Sequence, residues 1–267
     1  MKNLKNIAFL FLNIGAITAS AQKLPSTQKE SVLAPANIKI DGKTDEWNNQ
    51  FKAYNNSTEI FYTIANDDKN LYLIVQATKY EMVDKITGGG ITLTIKNSGD
   101  NKTVAPIIVT SPIVPTAYRP HILHQLGDTS VKLSDALPVL NKELNAHTLD
   151  ITISGFNDIT DSVISVYNEY GIKVAGLFNA DKALTYEFAI PLKYINRLAT
   201  ATGELKYNIK LNGLTMNSYK MVINGKETNI ADAKAMALFN EMASQPGSKL
   251  AGQISATDLS ATYKLAK

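Results

Sequence analysis

Cysteine is absent from all 267 residues, and Trp occurs once, at Trp47. Without a thiol there is no disulfide framework, no lipid-attachment cysteine and no Cys nucleophile, so stability falls to the hydrophobic core. A long apolar run is missing too. The stretch from Ile7 to Ile17 is shorter than the roughly 18 residues of a spanning helix, and no longer one follows. Charge of one sign is also lacking: the formal net charge is +3, and Lys2 and Lys5 supply two of the lysines. The remaining basic residues are scattered singly, which argues against a nucleic-acid partner. A nucleotide-binding loop is missing as well, because Gly88 to Gly90 lead into a strand pattern without the Lys and hydroxyl such a loop needs. Those glycines read as a bend.

What is present begins with a basic start, a short apolar run and small residues Ala19 and Ala21. These predict a signal peptide over residues 1–21 and export to the periplasm or outside the cell, with no lipid anchor. Residues 22–35 are polar and Pro-flanked and read as a leader onto a single domain over 36–267. The dominant period there is two. Ile91, Leu93 and Ile95 alternate with Thr92, Thr94 and Lys96, and Leu205 to Leu211 alternates in the same way. The segments Glu59 to Ala65 and Leu71 to Ala77 are apolar on both faces and read as a central hairpin. Further strands are expected over 103–110, 149–153, 163–167, 172–178, 184–190, 218–223 and 259–265. One helix is expected from an N-cap at Asn229, with Asp232 in its first turn, to Pro246-Gly247. The stretch 111–147, with Pro112, Pro115, Pro120 and Pro138, reads as an irregular excursion with one or two helical turns.

Three motifs carry a resemblance. They are "IKIDGKTDEW" from Ile38 to Trp47, "DDKNLYLIVQA" from Asp67 to Ala77, and "YEFAIPLKYI" from Tyr186 to Ile195. Together they resemble the family 9 carbohydrate-binding modules and their DOMON-type relatives, over about residues 36–198. The resemblance implies an all-β, mainly antiparallel β-sandwich with a long loop excursion and one C-terminal helix before the last strand. It also implies a secreted, non-catalytic protein that binds a poly- or oligosaccharide, often with calcium. Structural roles follow for Asp41 and Gly42 in a turn, Asp45 in a helical turn, Trp47 as a buried wedge and Pro191 at a strand end. The best-known sugar-binding members of that family hold a sugar ring between a pair of Trp side chains. With a single Trp, this chain would need Tyr118, Tyr167 or Tyr170 in that role.

Candidate chemistry outside those motifs is sparse. Tyr118, Arg119, His121 and His124 lie within seven residues, combining an aromatic face with polar groups suited to sugar hydroxyls. His121, His124 and Asp128 also have types that zinc accepts, and surface histidines are the plain alternative. Asn157, Asp158 and Asp161 offer hard oxygens for calcium, or else cap their own loop. A haem-binding relative would draw axial ligands from Met82, His121 or His124. Carboxylates such as Glu59, Asp67, Glu81, Asp84 and Glu187 fall in no catalytic motif, so an enzyme is not expected and a glycoside hydrolase-associated activity stays an outside alternative. An envelope scaffold that kept the fold without binding sugar is the remaining alternative.

Overall fold

A computed structural model describes residues 23–99, 104–127, 130, 132–214, 220–223, 226–229, 233–245, 248 and 250–267. The expected signal peptide, the zinc candidate Asp128, and Ile230 and Asp232 of the expected C-terminal helix lie outside these residues.

Two open antiparallel sheets dominate the molecule. Sheet A is ordered β1 (Ala53–Asn55), β2 (Ile60–Asn66), β3 (Asn70–Ala77), β9 (Leu184–Pro191), β8 (Lys173–Phe178). Sheet B is ordered β13 (Thr257–Lys264), β10 (Glu204–Leu211), β4 (Ile91–Asn97), β5 (Ile107–Thr110), β6 (Asp150–Ser154), β7 (Val163–Ser165). A small hairpin pairs β11 (Lys220–Ile223) with β12 (Lys226–Asn229). Among the described residues six α-helices lie between the strands in sequence: α1 (Tyr80–Gly89), α2 (Arg119–Gly127), α3 (Leu133–His147), α4 (Leu192–Ile195), α5 (Ala233–Ser244) and α6 (Leu250–Ile254).

The expected all-β sandwich with one late helix is therefore wrong. The fold is mixed, with helices between strands throughout, and the reasons are local. The window Met82, Val83, Ile86 has helical spacing and is buried, and Gly90, at φ 77°, closes the helix by donating its N–H to the Ile86 carbonyl at 2.8 Å. The three glycines end a helix rather than mark a bend. They also admit close neighbours: a Cβ on Gly88 would stand 2.3 Å from the Arg119 guanidinium, and one on Gly89 would stand 2.3 Å from the Asn212 carbonyl.

The excursion is likewise helical. Pro120 sits in the first turn of α2, where no backbone N–H is required. Pro138 lies inside α3, yet Leu140 and Leu144, four apart and buried, anchor that helix to the core.

The inner faces of the sheets share one core. Ile60, Tyr62, Ile64, Leu73, Val75, Tyr186 and Phe188 of sheet A meet Ile91, Leu93, Ile95, Val109, Tyr207 and Ile209 of sheet B. The hydroxyls of Tyr62 and Tyr207 meet at 3.0 Å between the sheets, satisfying two buried phenols. The β2–β3 turn is built by Asp67. Its carboxylate accepts the N–H of Lys69 at 2.7 Å and of Asn70 at 2.6 Å, and the Tyr72 hydroxyl at 2.8 Å.

Outside sheet A lies a second apolar cluster in which Trp47, 6% exposed, packs with Ala65, Tyr72, Ile74 and Ala189. Gly42, at φ 82°, makes the turn before it. Glu187, 1% exposed, gathers the motif: its carboxylate accepts Trp47 Nε1–H at 2.8 Å, Gly42 N–H at 2.8 Å and Asp41 N–H at 3.0 Å. Burial pushes its pKa above the usual carboxylate range, against the pull of those three donors. Asp45 is exposed and its carbonyl accepts the Asn48 N–H. Pro191 ends β9 and caps α4, whose Leu192 N–H donates to the Lys69 carbonyl at 2.7 Å.

Candidate functional site

The four residues taken together from the α2 region separate in space. Arg119 turns inward and is 6% exposed, with Nε 3.5 Å from the Asp84 carboxylate of α1. The other Asp84 oxygen accepts Gln253 Nε2–H at 2.8 Å, tying α1 to α6. Arg119 is thus part of the frame and is removed from any ligand surface. Tyr118 stays outside, its ring stacked on His147 at 3.5 Å between centroids. His121 Nδ1 lies 2.7 Å from Glu143, and His124 is exposed.

The remaining candidates spread further. Asn157, Asp158 and Asp161 are exposed on the β6–β7 loop. Among the described residues there is no group of three or more His, Cys, Asp or Glu able to hold a metal ion. Met82 is buried in the shared core, whereas His121 and His124 are on the surface. Tyr170 is half-buried, its carbonyl 3.4 Å from the Tyr194 hydroxyl. Among the described residues no helix is long and apolar enough to cross a membrane.

Tyr167 differs from all of these. It is 83% exposed in the β7–β8 connection and stands on a cleft of about 290 Å³ between β8 and the C-terminal end of α3. Asn145 and Lys173, both exposed, line the same cleft. Gly176 and the buried Tyr186 line it as well. A Cβ on Gly176 would stand 2.7 Å from the Tyr186 ring, so glycine is what lets that ring lie against the strand.

The backbone of β8 adds polar groups to a cleft also walled by Ile40, Pro112 and Val166. β8 is the last strand of sheet A and pairs only with β9. At one end, Phe178 gives its N–H to Asn141 Oδ1 at 2.8 Å and accepts Asn141 Nδ2–H at 2.9 Å. At the other, the Ile172 carbonyl accepts Asn168 Nδ2–H at 2.7 Å. Residues two apart on a strand direct their backbone groups to the same side. Val174 and Gly176, between those capped ends, therefore turn their N–H and C=O groups to the open edge, and no described residue bonds them. Two donors, two acceptors, an amide, an ammonium and an exposed aromatic ring converge on one small cleft.

Sequence reasoning singled out Tyr167 and missed Asn145, Lys173 and Gly176. The period of β8 was legible, but its place at a sheet edge was not. Compared with protein-family models, curated proteins and solved structures, the chain matches none.

Proposed function

We propose that this is an exported, non-catalytic glycan-binding protein that takes one sugar ring in the cleft between β8 and α3. The observation that carries the reading is the open pair of backbone groups at Val174 and Gly176 beside the exposed Tyr167. Sugars are bound by an aromatic face against the C–H surface of the ring and by fixed donors and acceptors for its hydroxyls. Small-molecule sites are concave and combine a few placed polar groups with such a surface. Fixed backbone groups suit that task because they need no ordering on binding. The cleft volume fits a single ring or chain end better than the middle of a thick polymer. Support for export also comes from the signal-like leader.

The test is retention of the purified protein on a panel of soluble glycans and insoluble cell-wall polysaccharides. Tyr167→Ala should lose retention by about tenfold or more, equivalent to about 1.4 kcal/mol. Its melting temperature should stay within error, because the side chain is exposed. A well-folded wild type that is retained by no glycan overturns the reading, and so does full retention by the variant.

A further inference from the structure

A larger cavity, of about 550 Å³, lies at the other edge of sheet A, between the segment Lys23–Glu30 and residues Gln50–Lys52. Its walls are fixed by backbone-like pairing. Gln28, 6% exposed, lays its amide along β2: Oε1 accepts the Ile64 N–H at 2.8 Å and Nε2 donates to the Ile64 carbonyl at 2.7 Å. Its own N–H donates to the Tyr62 hydroxyl at 3.0 Å, and the Tyr54 N–H donates to the Pro25 carbonyl at 3.0 Å. The segment read from the sequence as a leader is thus held against the sheet as one wall of a cavity.

Three lysines from separate stretches of chain, Lys23, Lys29 and Lys52, line this space, and all are exposed. Glu30 is the one acid among the lining residues, and none of the three lysines has an ion pair among the described residues. Phe51 offers a half-buried ring, supported from behind by Phe61 at 5.8 Å between centroids, and Gln50 stands beside it. Like charges gathered around a concavity repel one another, and a bound anion relieves that repulsion.

We propose that this cavity is a second binding site, for an anionic sugar. The lysines take a carboxylate carried on the sugar, Phe51 takes the C–H face of its ring, and Gln50 takes a hydroxyl. The ligand class is a uronic acid unit of an acidic polysaccharide. The site is separate from the Tyr167 cleft, since β1 and β8 are the two edges of a five-stranded sheet. Four strand spacings put them about 19 Å apart. The inference does not depend on what the Tyr167 cleft binds.

Calorimetry with three probes tests it: a trimer of galacturonic acid, a neutral trisaccharide and inorganic phosphate. In the Tyr167→Ala variant, which isolates this cavity from the other cleft, the uronic acid trimer should bind, more weakly as salt rises, while the neutral sugar should give no heat and phosphate should bind at least tenfold more weakly. A Lys29→Gln, Lys52→Gln double variant should lose at least tenfold in affinity for the trimer with an unchanged melting temperature. Tyr167→Ala should bind the trimer as the wild type does, which separates the failure of one site from the failure of the other. No binding of the trimer overturns the proposal. It is equally overturned by undiminished binding in the folded double variant, by equal binding of the neutral sugar, or by phosphate binding as tightly as the trimer.

Discussion

The two sheets bury their inner faces in one core and treat their outer faces in opposite ways. Sheet A directs Thr63, Ala65, Tyr72, Ile74, Glu187 and Ala189 outward, and all six are buried beneath the chain between Val32 and Phe51. Sheet B directs Thr92, Thr94, Lys96, Lys206, Asn208 and Lys210 outward, and all six are exposed or half-buried. Cover on one face or on two sets the residue pattern of each strand. A sheet wet on one side alternates, as β4 and β10 do, whereas a sheet covered on both sides reads as a continuous apolar run, as β2 and β3 do. It also places both cavities of interest at the edges of sheet A, where covering segments and strand ends leave gaps.

Removing the cover from sheet A should cost far more stability than trimming the bare face of sheet B. Trp47→Ala deletes a buried indole and leaves one Glu187 oxygen without its donor, so a loss of about 3–5 kcal/mol is expected. Thr94→Ala on the outer face of sheet B should stay within about 0.5 kcal/mol. Urea unfolding of the two variants measures both, and similar losses would show that the outer faces are energetically alike.

The α2 region contains a comparison of its own, between adjacent residues that the sequence joined in one candidate site. Arg119→Met should cost about 3 kcal/mol, because the buried Asp84 carboxyl, already pushed above the usual carboxylate range by burial, loses the cation that offsets it. Tyr118→Ala, on the outside, should cost under about 1 kcal/mol. If the two substitutions had equal effects in thermal melts, Arg119 would not be the frame residue described above.

Glu187 supplies a pH arm. Its carboxyl is raised above its ordinary 4.5 by burial, so the folded state holds the proton to a higher pH than the unfolded state does. Stability contributed in this way is present below 4.5 and is lost as pH rises through the folded value. Glu187→Gln should remove that decline while costing about 1–3 kcal/mol at neutral pH, because the amide cannot accept from Trp47 and from both backbone donors at once. Stability measured from pH 4 to 7 checks both effects. An unaltered slope in the variant would assign the decline to another group.

Much of the strand content was legible because alternation, turn residues and the Asp41-Gly42 turn are local signals. The helices were hidden for identifiable reasons. α3 carries Pro138, one of four prolines that make 111–147 read as irregular, and its helical spacing rests on just two buried leucines, Leu140 and Leu144. α1 ends in three glycines that suit a bend as well as a helix terminus. The candidate cleft was half legible. Tyr167 in a polar connection is a sequence signal, whereas the open backbone groups of Val174 and Gly176 depend on which strand ends the sheet. The lysine-lined cavity was not legible at all, because Lys23, Lys29 and Lys52 are scattered along the chain and meet only when Gln28 docks on β2.

The smallest expected effect tests how bare the outer face of sheet B is. Lys206 stands directly opposite Lys96 on β4 and opposite Thr262 on β13. Neither lysine has an ion pair among the described residues, and like charges directly opposite on neighbouring strands are destabilising. Lys206→Thr keeps a residue suited to strands and removes the repulsion, so stability should rise by about 0.2–1 kcal/mol at low salt. Added salt screens the repulsion in the wild type, so the advantage of the variant should shrink as ionic strength rises. A variant less stable than the wild type at every salt concentration would mean that the Lys206 stem covers apolar surface there. The outer face of sheet B would then be less bare than its lysines, threonines and asparagine make it.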